Sequence, residues 1–401
     1  MAQYRFITSN VLTGAILCDN LPIIGQTASR QINSIGSFQG YLPLSTPSGF
    51  AEMVSTWVSA VTPWKSILWV LQDGTPIWNG PITGWAHQSI TDGTLPIQAS
   101  SMENFFKYRQ VTNQLTYTNQ DIFDIFKAEM VYALSKAPNG IIAGTGKYAN
   151  KSGIVDTVAK SGVLGTITET AGFQSIYDCW NDLVTSYGLE YSLAPAMSDS
   201  QTLFTNVQLG MPQLGRAYTL NGLQMVLPGQ GSVDYAWQWV PSNPVNRMVV
   251  SGTGTAAVPT TAGSTASSST TPQTFVATAT ANSDLNAGFP LLEGNSSFFG
   301  TVTSQAQINQ YAQNLLYSTA INKSLTPLFV ISGGGSPLIR ETQLGDEVMV
   351  MATSPLHPTK GVVGPGIAQL MRITGWTLTF PQASQGEQTQ YQLGQTLVGG
   401  I

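Results

Sequence analysis

The stretch Pro81-Ile82-Thr83-Gly84-Trp85 decides the fold, because its last four residues return near the end of the chain as Ile373-Thr374-Gly375-Trp376. Four identical residues can recur by chance, so the sequence around each copy has to carry the argument. Each copy stands late in a pattern of strand, turn and strand, and each is followed by a turn and a further strand.

The two copies have similar surroundings. In the first, the apolar run 67–71 leads through an Asp-Gly turn to the copy, and a strand-like segment at 95–98 follows. In the second, the run 347–350 leads through a Pro- and Gly-rich connection to a long strand at 370–380, and another strand follows at 389–393. We therefore predict two related β-units at the two ends of the chain, with the remaining sequence inserted or appended.

Charged residues are scarce in this chain. Asp, Glu, Lys and Arg make up 9% of its 401 residues, whereas globular proteins average about 25%. The hydrophobic fraction is an ordinary 42%. Surfaces that are buried against other subunits are depleted in charge, so this composition predicts a component of an assembly. The net charge of -5, from 16 basic and 21 acidic residues, gives no basic footprint for DNA binding.

Between and around the two copies, the pattern changes along the chain. Short strands separated by Gly and Pro predict a compact β-domain over 1–106, in the form of a small barrel or sandwich. Apolar residues at helical spacing predict helices near 122–134 and 172–187, and two strands follow, so we predict an inserted α+β domain over 107–245.

The last part, 246–401, begins with a strand and a tract at 252–282 that is rich in Ser, Thr, Ala and Gly. Such a tract buries too little apolar surface to offset the entropy cost of ordering it, so we predict a long flexible loop or an extended arm. Helical spacing returns at 304–320, ahead of the strands around the second copy.

No catalytic, cofactor or metal site is predicted. His87 lies in a strand and His357 in a proline-flanked loop, and neither stands in a His- or Cys-rich ligand pattern. Asp121 with Asp124 opens a helix, where the helix dipole favours negative charge, and Asp346 with Glu347 occupies a turn. The two cysteines, Cys18 and Cys179, are predicted to be buried free thiols.

Tryptophans cluster in the first β-unit, at positions 57, 64, 69, 78 and 85. They could form a platform on which sugar rings stack, but tryptophan in the strands of a small β-domain more often packs in the core. We therefore predict that the repeated residues Trp85 and Trp376 are core residues. No apolar run reaches the roughly 18 residues that a membrane span needs, and no signal peptide is predicted.

Several stretches together resemble the hub proteins of phage tail tips, including minor tail proteins of long-tailed phages that infect actinobacteria. The resemblance lies in the order and spacing of stretches along nearly the whole chain, which are 36–44, 78–84, 101–109, 289–293, 344–348 and 372–375.

This resemblance implies a ring of three subunits in which each chain contributes two tube-type β-barrels, so that six barrels match a sixfold tail tube. The barrels would be formed by 1–106 and 246–401. The ring would sit at the tail tip of the virion against a distal tail protein and the end of the tape measure protein, and DNA would pass through its lumen at ejection without specific binding. Two alternatives remain open at this stage, a receptor- or carbohydrate-binding tail protein and a cell-wall hydrolase.

Overall fold

The structure is a computed structural model, and it describes residues 2–44, 51–85, 93–136, 154–156, 159–172, 174–198, 202–211, 213–227, 232–238, 245–256, 271–286, 288, 290–298, 302, 304–319, 328–333, 337–353, 366–382 and 386–395. The fold within these residues is mostly β.

The N-terminal part contains seven strands and two short helices. The strands are β1 (Tyr4–Asn10), β2 (Ile16–Cys18), β3 (Ile24–Gln31), β4 (Ser37–Pro43), β5 (Ser66–Gln72), β6 (Thr75–Trp85) and β7 (Thr94–Ser100), and the helices are α1 (Ala51–Ala60) and α2 (Glu103–Lys107). Every residue of β5 is buried. Asp73 and Gly74 both have positive φ, as a tight turn between two twisted antiparallel strands requires.

The middle of the chain alternates helices and strands. Its elements are β8 (Leu115–Asp121), α3 (Ile122–Leu134), β9 (Ile154–Asp156), β10 (Leu164–Glu169), α4 (Ile176–Tyr187), β11 (Glu190–Met197), β12 (Leu203–Gly210), α5 (Tyr218–Asn221), β13 (Gln224–Leu227) and β14 (Ser232–Gln238). The two predicted helices are confirmed by α3 and α4. Ser175 and Asp178 form a capping box at the start of α4, and Gly188 ends it in the left-handed conformation.

The C-terminal part returns to strands. Its elements are β15 (Arg247–Ala256), β16 (Thr271–Thr280), α6 (Asn282–Asn286), β17 (Glu293–Ser297), α7 (Gln305–Thr319), β18 (Leu328–Gly333), a 3-10 turn (Ile339–Glu341), β19 (Glu347–Ala352), β20 (Ile367–Thr379) and β21 (Gln388–Gln395). The third predicted helix is confirmed by α7. No helix among the described residues is both long enough and apolar enough to cross a membrane.

Strands from both ends of the chain form one 13-stranded sheet. Its main path runs β14-β18-β21-β20-β3-β4-β7-β6-β5-β1-β2, and β19 pairs with both β20 and β13. The two ends also share one hydrophobic core. At its centre, the ring of Phe380 lies 5.7 Å from that of Phe6 and 5.9 Å from that of Phe38. The two β-units are therefore packed into one body.

The elements between the units have cores of their own. In one, α3 and α4 pack beside a two-stranded sheet, β8 with β10, and a three-stranded sheet, β11, β12 and β9. The ring of Trp180 stacks on Phe126 at 4.2 Å there. The strands β13 and β14, which the sequence analysis assigned to the insertion, pair in the large sheet instead. The boundaries 1–106, 107–245 and 246–401 remain a proposal.

A second core forms where the sequence predicted a flexible tract. Within 252–282, the described residues 252–256 and 271–280 belong to β15 and β16, which pair in antiparallel register, and α7 packs on them. That prediction was wrong for these residues, because alternate residues of β16, namely Phe275, Ala277 and Ala279, are buried against the helix. Gly254 in β15 permits the backbone just before α7 to approach closely, since a Cβ there would lie 1.8 Å from the carbonyl oxygen of Val302.

Two further expectations are corrected. Trp57 was grouped with the strand tryptophans of the first β-unit, but it lies in α1, and the next strand, β5, begins at Ser66. Trp85 was predicted to be a core residue, yet 40% of it is exposed, whereas Trp376 is 4% exposed as predicted. The reason lies in the neighbours of each tryptophan.

Candidate assembly interface

The first copy of Ile-Thr-Gly-Trp forms a β-bulge. In the pairing of β6 with β7, Ile82 faces Ala99 and Gly84 faces Gln98, so Thr83 is an extra residue on its strand. The Thr83 hydroxyl donates a hydrogen bond to the carbonyl oxygen of Gln98 at 3.3 Å.

The second copy forms the same bulge. In the pairing of β20 with β21, Ile373 faces Leu393 and Gly375 faces Gln392, so Thr374 is the extra residue. The Thr374 hydroxyl donates to the carbonyl oxygen of Gln392 at 3.1 Å. The repeated sequence therefore corresponds to a repeated local structure, down to one side-chain hydrogen bond.

The strands around the two bulges follow the same order. In the first unit it is β3-β4-β7-β6-β5-β1, and in the second it is β14-β18-β21-β20-β19-β13. Four of the five neighbouring pairs are antiparallel in both units, and only the last differs, because β13 runs parallel to β19. The chain thus contains a six-stranded unit twice.

The register agrees within these pairs. Val70 lies opposite Trp78, four positions before the bulge residue Ile82, and Val350 lies opposite Gln369, four positions before Ile373. Both valines are fully buried. The register is therefore the same at this valine, although the residue opposite it is buried in the first unit, at Trp78, and exposed in the second, at Gln369.

The two units join edge to edge through β20 and β3. The five pairs run from Gly375 opposite Gln31 to Thr379 opposite Thr27. Trp376 lies opposite Arg30 in this junction, and the adjacent strand β3 is the reason that its ring is buried. We call this pairing the internal junction.

The equivalent edge of the first unit is open in the described structure. Gly84 occupies the position of Gly375, but a Cβ on Gly84 would have no atom within 4 Å, whereas one on Gly375 would lie 3.1 Å from the carbonyl oxygen of Arg30. Trp85, next to Gly84, is exposed for the same reason. At the far end of the sheet, β14 pairs on one side only among the described strands, with β18.

Exposed aromatic side chains line this open edge. Trp64 and Tyr108 are 38% and 67% exposed, and their ring centroids lie 4.8 Å apart. The backbone N–H of Trp64 donates to the carbonyl oxygen of Ile82 at 2.8 Å, which places these rings beside the bulge. We call Trp64, Trp85 and Tyr108 the aromatic edge. Exposed aromatic groups of this kind are enriched where protein surfaces bind partners.

A buried ion pair fixes the internal junction to the middle of the chain. Arg372, which is 3% exposed, precedes the second bulge, and its guanidinium pairs in a bidentate manner with the carboxylate of Glu190, with one N–O distance of 2.8 Å. Arg372 Nη2 also donates to the carbonyl oxygen of Leu214 at 3.2 Å. A bidentate pair of this type holds both partners in one orientation.

Arg30 provides the second anchor. Its Nη2 donates to Ser192 Oγ at 2.7 Å and to the carbonyl oxygen of Leu193 at 2.8 Å, both in β11. Burial lowers the pKa of Arg30 from its ordinary value, and the nearby carboxylate of Glu103 opposes that shift. Neither arginine could be identified from a local sequence pattern, because their partners lie more than 150 residues away along the chain.

The first acidic pair of the sequence analysis has a structural role. Asp121 caps α3 by accepting from the N–H of Phe123 at 3.0 Å. Burial acts to raise the pKa of Asp121, but N–H groups of Ser161, Gly162 and Phe123 donate to it and hold that pKa below its ordinary value. Asp124 forms an ion pair with Lys160 at 3.3 Å.

The second acidic pair, Asp346 and Glu347, also accepts hydrogen bonds from the protein. Asp346 is bound by the backbone N–H of Arg216 at 2.9 Å and by its guanidinium, and Glu347 accepts from the N–H of Tyr218 at 2.9 Å. His87 and His357 lie outside the described residues. Within the described residues, each acidic pair therefore has its own set of binding partners.

No protein family and no curated protein matches this sequence. Several solved structures do match. A tail protein from Neisseria meningitidis MC58 is 13% identical with a TM-score of 0.56, over 98% of this chain and 96% of that one. The 43 kDa tail protein of prophage MuSo2 from Shewanella oneidensis is 11% identical with a TM-score of 0.56, over 98% of both chains.

The prophage tail protein gp18 from Listeria monocytogenes EGD-e is 12% identical with a TM-score of 0.52, over 97% of this chain and 94% of that one. The chain therefore shares the fold of these phage tail proteins along nearly its whole length. At this level of identity the likeness concerns the fold, and the function has to be argued from the structure itself.

Proposed function

We propose that this protein is a structural component of a phage tail, and that it forms the hub ring of the tail tip. Three copies would form a ring of six β-units that adapts the sixfold tail tube to a threefold tip. The observation that carries this proposal is the duplicated six-stranded unit, together with the internal junction that links its two copies edge to edge.

The internal junction provides a pattern for contacts between chains. In it, the strand edge after the bulge of β20 pairs with β3, the first strand in the order of the other unit. The equivalent elements that stay open are the edge after the bulge of β6 and the strand β14. Pairing the β6 edge of one chain with β14 of the next would repeat the internal junction, and such head-to-tail contacts generate rings when the rotation closes.

The number of copies follows from the resemblance to tail-tip hubs, which implies six units and hence three chains. In that arrangement both units are closed β-barrels of the tube type, and the lumen forms part of the DNA ejection channel. A chain with a net charge of -5 would avoid holding DNA by phosphate contacts, which need clustered basic groups.

The remaining parts of the proposal concern partners and location. The ring would lie at the tail tip of the virion, where it would contact a distal tail protein, the tape measure protein and other tail-tip proteins. It would assemble in the host cytoplasm and act without a cofactor, a catalytic site or insertion into a membrane. The fold shared with phage tail proteins supports a tail location, and the scarcity of charged residues supports an extensive subunit interface.

The mass of the untagged protein in solution, with low-resolution images of the same sample, tests this proposal. We expect a trimer with a central opening and six lobes. A protein that stays monomeric at every concentration, or that forms a closed assembly with another number of chains, would contradict the hub.

The aromatic edge favours one alternative function, the binding of a receptor or carbohydrate by a tail protein. Exposed tryptophan and tyrosine rings can stack on sugar rings. Substitution of Trp64 by alanine separates the two functions, because a glycan-binding protein would lose binding to a glycan array while its oligomeric state stayed the same. A hub would show no glycan binding at the start and would assemble less well.

A further inference from the structure

Three side chains that can bind a metal ion meet inside the core formed by α3, α4 and the sheet of β8 and β10. Glu129 comes from α3, Glu169 is the last residue of β10, and Cys179 comes from α4. One ligand atom from each lies within 4.8 Å of those of the other two. The exposed fractions are 0% for Glu129, 2% for Glu169 and 0% for Cys179.

The protein satisfies these buried carboxylates only in part, since Glu169 has side-chain hydrogen bonds with Cys179 and Gln174. Neither carboxylate oxygen of Glu129 has a hydrogen-bond partner, and Oε1 of Glu169 has none either. None of the ion pairs within the described part of the chain involves either glutamate. A fully buried carboxylate without a donor or a cation is strongly destabilising, so such groups are normally paired or bind a metal ion.

Without a bound cation, the surroundings of the cluster disfavour negative charge on its three side chains. Burial raises the pKa of Glu129 well above its ordinary value, and repulsion from Glu169 and Asp182 adds to the rise. Burial likewise raises the pKa of the Glu169 carboxyl and of the Cys179 thiol. Burial thus disfavours the charged form of all three groups, and a bound cation would supply the counter-charge that they lack.

We propose that Glu129, Glu169 and Cys179 form a structural binding site for a divalent cation of the zinc class. A thiolate ligand favours zinc and related transition metals over magnesium or calcium, which bind oxygen ligands. Zinc lies about 2.3 Å from sulfur and about 2.0 to 2.2 Å from carboxylate oxygen, so its ligand atoms lie less than about 4.5 Å apart. The ligand atoms of the cluster lie within 4.8 Å of one another, so binding would require at most a small movement of the side chains. With three protein ligands, the fourth tetrahedral position would be taken by water, which differs from the four protein ligands of most structural zinc sites.

The site would hold three separate elements together. The two glutamates are 40 positions apart, and Cys179 follows ten positions after the second, so no short ligand motif appears in the sequence. This explains why a search for closely spaced His and Cys residues predicts no metal. The proposal does not depend on the hub function, because the cluster lies outside the large sheet.

Metal content is the direct test. Untagged protein would be produced in zinc-supplemented medium and separated from weakly bound metal by gel filtration. Elemental mass spectrometry should then find about one zinc ion per chain. The variant Cys179→Ser should lose most of that zinc. The matched control Cys18→Ser should keep it, since Cys18 is a half-buried free thiol that belongs to a different core.

The absorption spectrum of bound Co²⁺ provides a second test of whether Cys179 is a metal ligand. Protein stripped with a chelator and loaded with Co²⁺ should show a sulfur-to-cobalt charge-transfer band in the near ultraviolet, and Cys179→Ser should lack it. If Cys179→Ser fails to fold, Glu169→Gln replaces it in the zinc measurement and should likewise lose the metal.

Glu129→Gln distinguishes a metal site from a pair of protonated carboxyl groups. If the cation is bound, this variant loses zinc, melts at a lower temperature than the wild type, and no longer responds to a chelator. If the carboxyls are neutral, glutamine replaces the protonated acid at little cost. A wild-type protein that takes up neither zinc nor cobalt, and whose melting temperature a chelator leaves unchanged, would overturn the proposal.

Discussion

Trp85 and Trp376 stand at the same position of two equivalent β-bulges, yet the first is 40% exposed and the second is 4% exposed. The bulge, the threonine hydrogen bond and the strand that follows are the same in both units. The difference is the next strand, because β3 covers Trp376 while no described strand covers Trp85.

This comparison shows that the burial of a repeated residue depends on what lies beside its strand as well as on the strand itself. Among the described strands, the two units of one chain pair with each other through one junction only. The β6 edge of the first unit, which is equivalent to the β20 edge used in the internal junction, therefore stays open. Open edges of this kind are normally covered or blunted. A neighbouring copy of the chain would cover this one.

The largest difference is expected between the two tryptophan substitutions. Trp376→Ala removes a buried ring from the shared core and should destabilise the chain by about 4 kcal/mol. Trp85→Ala removes a half-exposed ring, so it should lower the stability of a single chain by less than about 1 kcal/mol. Chemical unfolding of the monomeric forms measures both, and equal losses would remove the asymmetry between the units.

A second difference involves a residue that only one unit contains. Arg372 precedes the second bulge, whereas Pro81 stands at the equivalent position of the first. Arg372→Met leaves the carboxylate of Glu190, whose side chain is 17% exposed, without its partner. The variant should lose about 3 kcal/mol of stability, near the lower end for a broken buried pair, because Glu190 keeps some contact with solvent.

The double variant Arg372→Met with Glu190→Gln is the control for that prediction. It removes the uncompensated charge and should recover part of the lost stability. Additive losses in the two single variants would mean that the two side chains do not interact energetically.

The repeated sequence was enough to predict two related β-units, and apolar residues at helical spacing were enough to predict three helices. The bulges themselves could not be predicted, because a bulge exists only in relation to the partner strand. The exposure of Trp85 depends in the same way on contacts between strands that are distant in the chain. Buried and exposed residues alternate in β16, as expected for a strand. The low-complexity composition of that tract nevertheless favoured the prediction of a flexible loop.

The glycines of the two bulges provide a more specific comparison. Gly375→Ala places a methyl group 3.0 Å from the side chain of Gln392 and 3.1 Å from the carbonyl oxygen of Arg30, and this crowding should destabilise the chain by about 1 to 2 kcal/mol. Gly84→Ala has free space in a single chain, so its melting temperature should stay close to that of the wild type. If the open edge pairs with another copy, Gly84→Ala should nevertheless weaken assembly.

Light scattering of Gly84→Ala against protein concentration checks that prediction. The control is Gly74→Ala, which changes a glycine with positive φ in a turn away from the bulge. That variant should be somewhat less stable because of its backbone conformation, yet it should assemble normally once folded. Normal assembly of Gly84→Ala would argue against contact at this edge.

The smallest difference between the two units is expected at the bulge threonines, whose loss should lower stability equally. Thr83→Val and Thr374→Val each remove one hydroxyl that donates to a backbone carbonyl, and each should cost about 0.5 to 1.5 kcal/mol. Thermal unfolding of the two variants under one condition measures the costs. A clear loss for one variant and none for the other would show that the two bulges are not energetically equivalent.

A cryo-electron microscopy map of the assembled protein would show whether a neighbouring copy repeats the internal junction. We predict a ring of three chains in which the β6 edge at Gly84 and Trp85 pairs with β14 of the next chain and the ring of Trp85 is buried. An assembly in which this edge remains exposed, or in which the chains meet through other surfaces, would contradict it.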